Sequence, residues 1–84
     1  MNVVVYRYPI QANPFELELP FESRVVHVGM KGDGPQMWVE LDLDEKMGQK
    51  RFQAVPTGVP IPDKMVHVGT WIDGGMVFHL YEAL

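Results

Sequence analysis

Short runs of alternating apolar and polar residues, broken about every ten residues by Gly, Pro, Asn or Asp, dominate the chain, and helical spacing of apolar residues is nearly absent. The pattern predicts strands at 2–8 (NVVVYRY), 15–19 (FELEL), 24–31 (RVVHVGMK), 36–43 (QMWVELDL), 50–55 (KRFQAV), 65–71 (MVHVGTW) and 76–82 (MVFHLYE). FELEL alternates strictly, so Phe15, Leu17 and Leu19 face a core while Glu16 and Glu18 face water. Breaks fall at Pro9, Asn13-Pro14, Pro20, Gly48 and PTGVPIP. That last segment, Pro56 to Pro62, is too rich in proline to donate a regular ladder and reads as a stiff loop, with a helical turn at Pro62-Asp63-Lys64 as the one helical candidate. The fold class expected is all-β or β-rich: a small sandwich or partly open barrel, residues 1–84 forming one domain.

VVHVGMKGDG from Val25 is echoed by MVHVGTWIDG from Met65. Asp-Gly between alternating runs is a strong signal for a tight type I′ hairpin, so the chain is expected to contain two pseudo-repeated Asp-Gly hairpins. With Asp33-Gly34 as the turn, Val26 pairs with Leu41, Val28 with Val39 and Met30 with Met37 on an apolar face. On the other face, His27 opposes Glu40, Gly29 opposes Trp38 and Lys31 opposes Gln36. A His27–Glu40 pair would make stability depend on pH through the imidazole. The second copy, with Asp73-Gly74 as the turn, pairs Val66 with Tyr81, Val68 with His79, His67 with Leu80 and Gly69 with Phe78. Turning at Gly74-Gly75 instead would move the partners and keep the faces. Both faces of this copy are largely apolar, which predicts that it lies deeper. Each strand glycine is expected to lie under a ring, Gly29 under Trp38 and Gly69 under Phe78.

Composition narrows the function classes. At 84 residues there is room for one modest core, and 46% apolar with 21% charged residues is ordinary globular usage. Cysteine is absent, which removes disulfides, thiolate metal sites and thiol nucleophiles and suits a reducing cytoplasm. MNVVVYRYPI has neither the basic lead nor the apolar length of a signal peptide. A net charge of −4 disfavours direct binding to a nucleic-acid backbone, and no membrane association is expected.

No cofactor is expected, and no metal site. His27 and His67 are equivalent in the repeat, but no H-x-H or H-x₃-H pair exists, and a cross-strand carboxylate pair for His27 with ordinary strand packing for the others accounts for the three histidines better. Ser23, Thr57 and Thr70 lack the context of an activated nucleophile, so enzymatic function is not expected. ELDLDE from Glu40 lacks a calcium loop's spacing and reads as a solvated edge that resists strand addition; its charge is modest for mimicry of nucleic acid. GMKGDG is a turn rather than a phosphate loop, since no helix follows it.

Two surfaces remain. Trp38, grouped with His27, Glu40, Lys31 and Gln36, is an aromatic residue on a polar strand face; it either lies on Gly29 or anchors a partner protein. Thr57, Gly58, Val59 and Pro60 form a candidate ligand loop, in which the N–H groups of Thr57, Gly58 and Val59 could coordinate an anion.

YRYPI at Tyr6–Ile10, Leu19-Pro20, the MW-V-E-LD run from Met37, TG-x-PI at Thr57–Ile61, HVGT at His67–Thr70 and FHLYE at Phe78–Glu82 together resemble a family of small bacteriophage and prophage proteins of the form YKYPI, LWALVD, GTGHPI, HLGT and WHVFE. The resemblance spans nearly the whole chain. It departs at Val59, where the family has His, and at Phe78, where it has Trp; the first puts loop-histidine chemistry in doubt. It implies a phage accessory protein of the bacterial host cytoplasm and supplies no reaction. The function expected is non-catalytic binding of a host protein, with inhibition of an antiviral defence system as the specific form. The alternatives are an oligomeric protein that sequesters a small molecule or nucleotide, and a minor virion protein.

Overall fold

The structure, a computed structural model, describes Met1–Leu84 throughout. Seven strands, β1 (Val3–Pro9), β2 (Phe15–Pro20), β3 (Arg24–Lys31), β4 (Gly34–Asp42), β5 (Met47–Pro56), β6 (Met65–Asp73) and β7 (Met76–Ala83), follow one another without a helix. All pairings are antiparallel, and the strands form two sheets in the orders β1-β4-β3 and β2-β5-β7-β6. The result is an all-β sandwich rather than a closed barrel. Every predicted strand is present. The helical candidate is not: Pro62–Lys64 leads into β6 through a turn in which Lys64 takes a φ of 60°.

The core forms where the inner faces meet. Phe15 and Leu19 of β2, Val28 of β3, Met37, Val39 and Leu41 of β4, Phe52 of β5, Trp71 of β6 and Leu80 of β7 are buried, joined by Ile10 from the β1–β2 connection. No buried polar side-chain atom is left without a partner, so this small interior is stabilised mainly by removing apolar surface from water. β2 shows the predicted alternation, Phe15 and Leu19 buried and Glu16 and Glu18 exposed.

The first hairpin differs in register from the expected one, whereas the second takes the alternative turn at Gly74-Gly75. In the first, Lys31 pairs with Gly34, Met30 with Pro35 and Val28 with Met37, so the turn is Gly32-Asp33. Gly32 has a φ of 62° and Asp33 does not enter the positive-φ region, which makes this a type II′ turn led by glycine instead of a type I′ turn at Asp33-Gly34. In the second, Asp73 pairs with Met76 across Gly74-Gly75, and Gly74 likewise has a φ of 62°. The two copies therefore turn at different points relative to their shared His-Val-Gly.

Each hairpin also carries a bulge, before His27 in one and after His67 in the other. The first puts Val25 opposite Val39 and leaves Val26 exposed, reversing the expected burial of Val26. It also brings Arg24, not His27, opposite Glu40, with Arg24 Nη2 3.4 Å from Glu40 Oε1. His27 faces Trp38 instead, and the expected His27–Glu40 pair is absent.

Neither strand glycine faces its predicted ring. Gly29 pairs with Gln36 and Gly69 with Leu80. Gly69 is needed for a different contact: β3 lies against β6, and a Cβ at Gly69 would collide with the side chain of Val28, coming within 2.8 Å of Val28 Cβ. A ring does cover a strand glycine elsewhere, because a Cβ on Gly48 would meet Phe21 Cδ2 and Cε2 at 3.8 Å. Gly48 therefore lies inside β5, where the sequence suggested a break. Nor is the second hairpin uniformly deep, since β6 is an edge strand with Val66 and Ile72 exposed. β4, which carries Glu40 and Asp42, is central rather than an edge.

Candidate functional site

The outer face of the three-stranded sheet is uncovered by any other element. Cross-strand pairing builds it in rows: Arg7, Trp38 and His27; Val5, Glu40 and Arg24; Pro9, Gln36 and Gly29. The His27 and Trp38 rings are 5.1 Å apart and inclined at 50°. Trp38 thus lies against an imidazole on one flank, with an arginine opposite it on the other, and does not lie over Gly29. Lys31 and Gln36 border a shallow polar hollow of about 280 Å³ shared with Arg7, Gly32 and Asp33. Of the five residues predicted for this surface, the structure brings Trp38, His27, Gln36 and Glu40 onto one face and sets Lys31 at its turn end. Sequence reasoning missed Arg7, Arg24, Val3 and Val5, which come from strands whose adjacency to β4 no local pattern announces. The charges of this face are mixed: Arg24 is paired with Glu40, Asp33 borders the hollow beside Lys31, Asp42 lies opposite Val3, and Arg7 stands next to the indole. Val3 and Val5, 49% and 51% exposed, add apolar surface beside them.

The loop after β5 lies on the outer face of the other sheet. The Thr57 hydroxyl donates to the Val77 carbonyl at 3.2 Å and contacts His79 Nε2 at 2.8 Å, while Thr70 Oγ1 is 2.9 Å from both His79 Nδ1 and His67 Nε2. A hydroxyl has one proton, so Thr57, already donating to Val77, accepts from His79 Nε2–H. In a neutral ring His79 Nδ1 then accepts from Thr70, which in turn accepts from His67 Nε2–H. The network is a directed chain from His67 to the Val77 carbonyl. In this arrangement Thr57 is an acceptor from the imidazole, whereas an activated nucleophile would have to donate to it.

The chain acts as a clasp. It holds the loop over a hollow of about 180 Å³ lined by Val55, Val59, Ile61, His79 and Tyr81, among others, and the loop covers Val55, a buried residue outside the main core. Of the backbone donors considered for an anion, Thr57 N–H is engaged by Val77 O at 3.0 Å and Val59 N–H by Pro56 O at 3.2 Å. Of those three, Gly58 alone has no such bond. His67, Thr70, His79 and Tyr81 were not predicted for this site. In a regular strand His67 and Thr70 would lie on opposite faces; the bulge at Val68 restores them to one face, opposite Tyr81 and His79 respectively. No grouping of three or more His or acidic residues able to hold a metal ion occurs.

Two carboxyls are perturbed, Asp42 at the Val3 end of the Trp38 face and Glu82 on β7. Backbone N–H groups of Asp44 and Asn2 hold Asp42 below its ordinary value, fixing the β4–β5 connection. Burial pushes Glu82 up, partly opposed by Lys50 at 3.9 Å.

A family described as a domain of unknown function (DUF7352) matches residues 1–84. No curated protein and no solved structure matches the chain.

Proposed function

Since the chain belongs to the DUF7352 family, whose description assigns no activity, we propose from geometry that it is a non-catalytic binding protein whose outer β1-β4-β3 face docks a partner protein. The observation that carries this reading is the indole of Trp38 at the centre of an uncovered sheet face, flanked by His27 and Arg7. Indoles and arginines are the residue types that most often anchor protein interfaces. Arg7 supplies a cation beside the indole, Arg24 is satisfied by Glu40, and exposed Val3 and Val5 supply apolar area, so the matching surface is one that presents an apolar or aromatic knob with a carboxylate placed for Arg7. The resemblance to phage and prophage proteins supports a bacterial host protein as partner, with the cytoplasm as the setting and inhibition of an antiviral defence system as the outcome.

Affinity capture from bacterial lysate tests the proposal. The wild-type chain is expected to retain a defined host protein that Trp38→Ala and Arg7→Glu lose while keeping the far-ultraviolet dichroism of the wild type. Retention of the same protein by a folded Trp38→Ala chain would assign binding to another face.

A further inference from the structure

At one end of the sandwich the two inner faces do not meet, and a cleft of about 260 Å³ opens between the sheets. The strand pattern explains why. Alternation carries inward positions past the core to Pro35 on β4, to Ala54 and Pro56 on β5, and to Asp73 beyond Trp71 on β6. Small and ring-closed side chains leave room there that larger residues would fill. Ile10 and Ala12, from the connection between the sheets, form one wall. The floor is aromatic: Trp71 and Phe78 stack with centroids 5.4 Å apart and an interplanar angle of 16°.

The polar chemistry of the cleft is one-sided. Asp73 is the only charged side chain lining it, on an otherwise apolar wall. Pro35 and Pro56 have no N–H to offer, and their carbonyls already accept from Ile10 N–H and Val59 N–H, so Asp73 is the charged acceptor left in the cleft. Asp73 forms no ion pair with any cation of the chain. A solvent-exposed carboxylate lining the same cleft as stacked aromatic rings is complementary to a cation with an apolar body, through charge and through attraction to the ring face. It repels a carboxylate or phosphate.

We propose that this cleft binds a small organic ammonium, its apolar or aromatic body against Trp71 and Phe78 and its charged nitrogen on the Asp73 carboxylate. The site is separate from the Trp38 face, and neither reading depends on the other.

The test uses the full chain and three probes of similar shape: phenethylamine, 2-phenylethanol and phenylacetate. Titrations followed by ¹⁵N-edited spectra read the indole N–H of Trp71, assigned with a Trp38→Phe chain. Phenethylamine is expected to shift the Trp71 resonance and to bind about tenfold more tightly than the alcohol, with phenylacetate weakest, as a partly solvated ion pair beside an aromatic face implies. In Asp73→Asn, which alters an exposed side chain, the amine's advantage is expected to shrink to within about twofold while the amide spectrum stays dispersed. Equal binding of amine and alcohol to the wild type, a preference for amine that survives Asp73→Asn, or a Trp71 resonance unmoved by phenethylamine would each overturn the proposal.

Discussion

Replacing Gly69 with Ala adds one methyl group at the point where the sheets come closest. That methyl would overlap Val28 Cγ2 and lie 2.8 Å from Val28 Cβ. Val28 is branched, buried and attached close to its own backbone, so it has no flexible end to swing aside; β3 and β6 must separate or Val28 must leave its rotamer. Overpacking of this kind costs up to about 3 kcal/mol. Val28→Ala by itself removes buried methyl groups at about 0.8 kcal/mol each and leaves part of a cavity, for about 2 kcal/mol. Independent effects would sum to about 5 kcal/mol. In the double variant the new methyl occupies space that Val28 has vacated, so the expected cost is about 2 kcal/mol, well short of additive. Urea unfolding followed by dichroism measures all three variants, and Gly69→Ala alone should lower Tm by more than about 10 °C in a domain of this size. Costs that add to within about 0.5 kcal/mol would refute the seating of Val28 on Gly69. Coupling of Gly69→Ala to Phe78→Leu instead would restore the arrangement read from sequence, in which a ring covers this glycine.

Gly29→Ala is the contrasting case: its Cβ would meet only the Nε2 end of the exposed His27 ring at 3.2 Å, so its unfolding midpoint should lie within about 0.5 kcal/mol of wild type. Thr57→Val keeps the shape but removes the hydroxyl that links His79 to the Val77 carbonyl; it should cost about 1 kcal/mol and speed amide exchange in the Pro56–Pro62 loop, and unchanged exchange would show that the clasp does not hold the loop. Glu82 has a raised pKa because burial disfavours its charged form, so its contribution is fully present below the unfolded value and is lost as pH rises through the folded one; Glu82→Gln should remove that loss from the pH dependence of urea midpoints. Asp42 runs the other way: lowered by the Asp44 and Asn2 N–H groups, it contributes stability present above the unfolded value and lost as pH falls through the folded one, and Asp42→Asn should flatten that acidic limb.

Much of this protein was legible along the chain. Alternation in FELEL, VVHV and MVFHL placed seven strands and the inward face of β2, because a pleated strand half in water requires period two. Glycine beside each turn was legible too, though not which residue leads it. Trp38 stood out as an indole among polar positions, and its face is open. Bulges were not legible: one extra residue in a strand reverses the facing of everything beyond it, and neither VVHV nor MVHV differs in composition from a regular strand. That single geometric fact put half-buried Val25 rather than Val26 against the core, gave Glu40 to Arg24, and brought His67 into line with Thr70 and His79.

The sequence by itself therefore determined the class of fold, the number of strands and the hairpin character of the repeat, since these follow from local periodicity and turn stereochemistry. Tertiary structure decided how the two copies differ. Packing of β3 against β6 gave Gly69 its role and left Gly29 with none of that kind, because close approach depends on which strands meet across the sandwich. The rows around Trp38, the Thr57–His79 clasp and the cleft at Asp73 likewise join residues from distant segments. Their chemistry arises only once the sheet order is set.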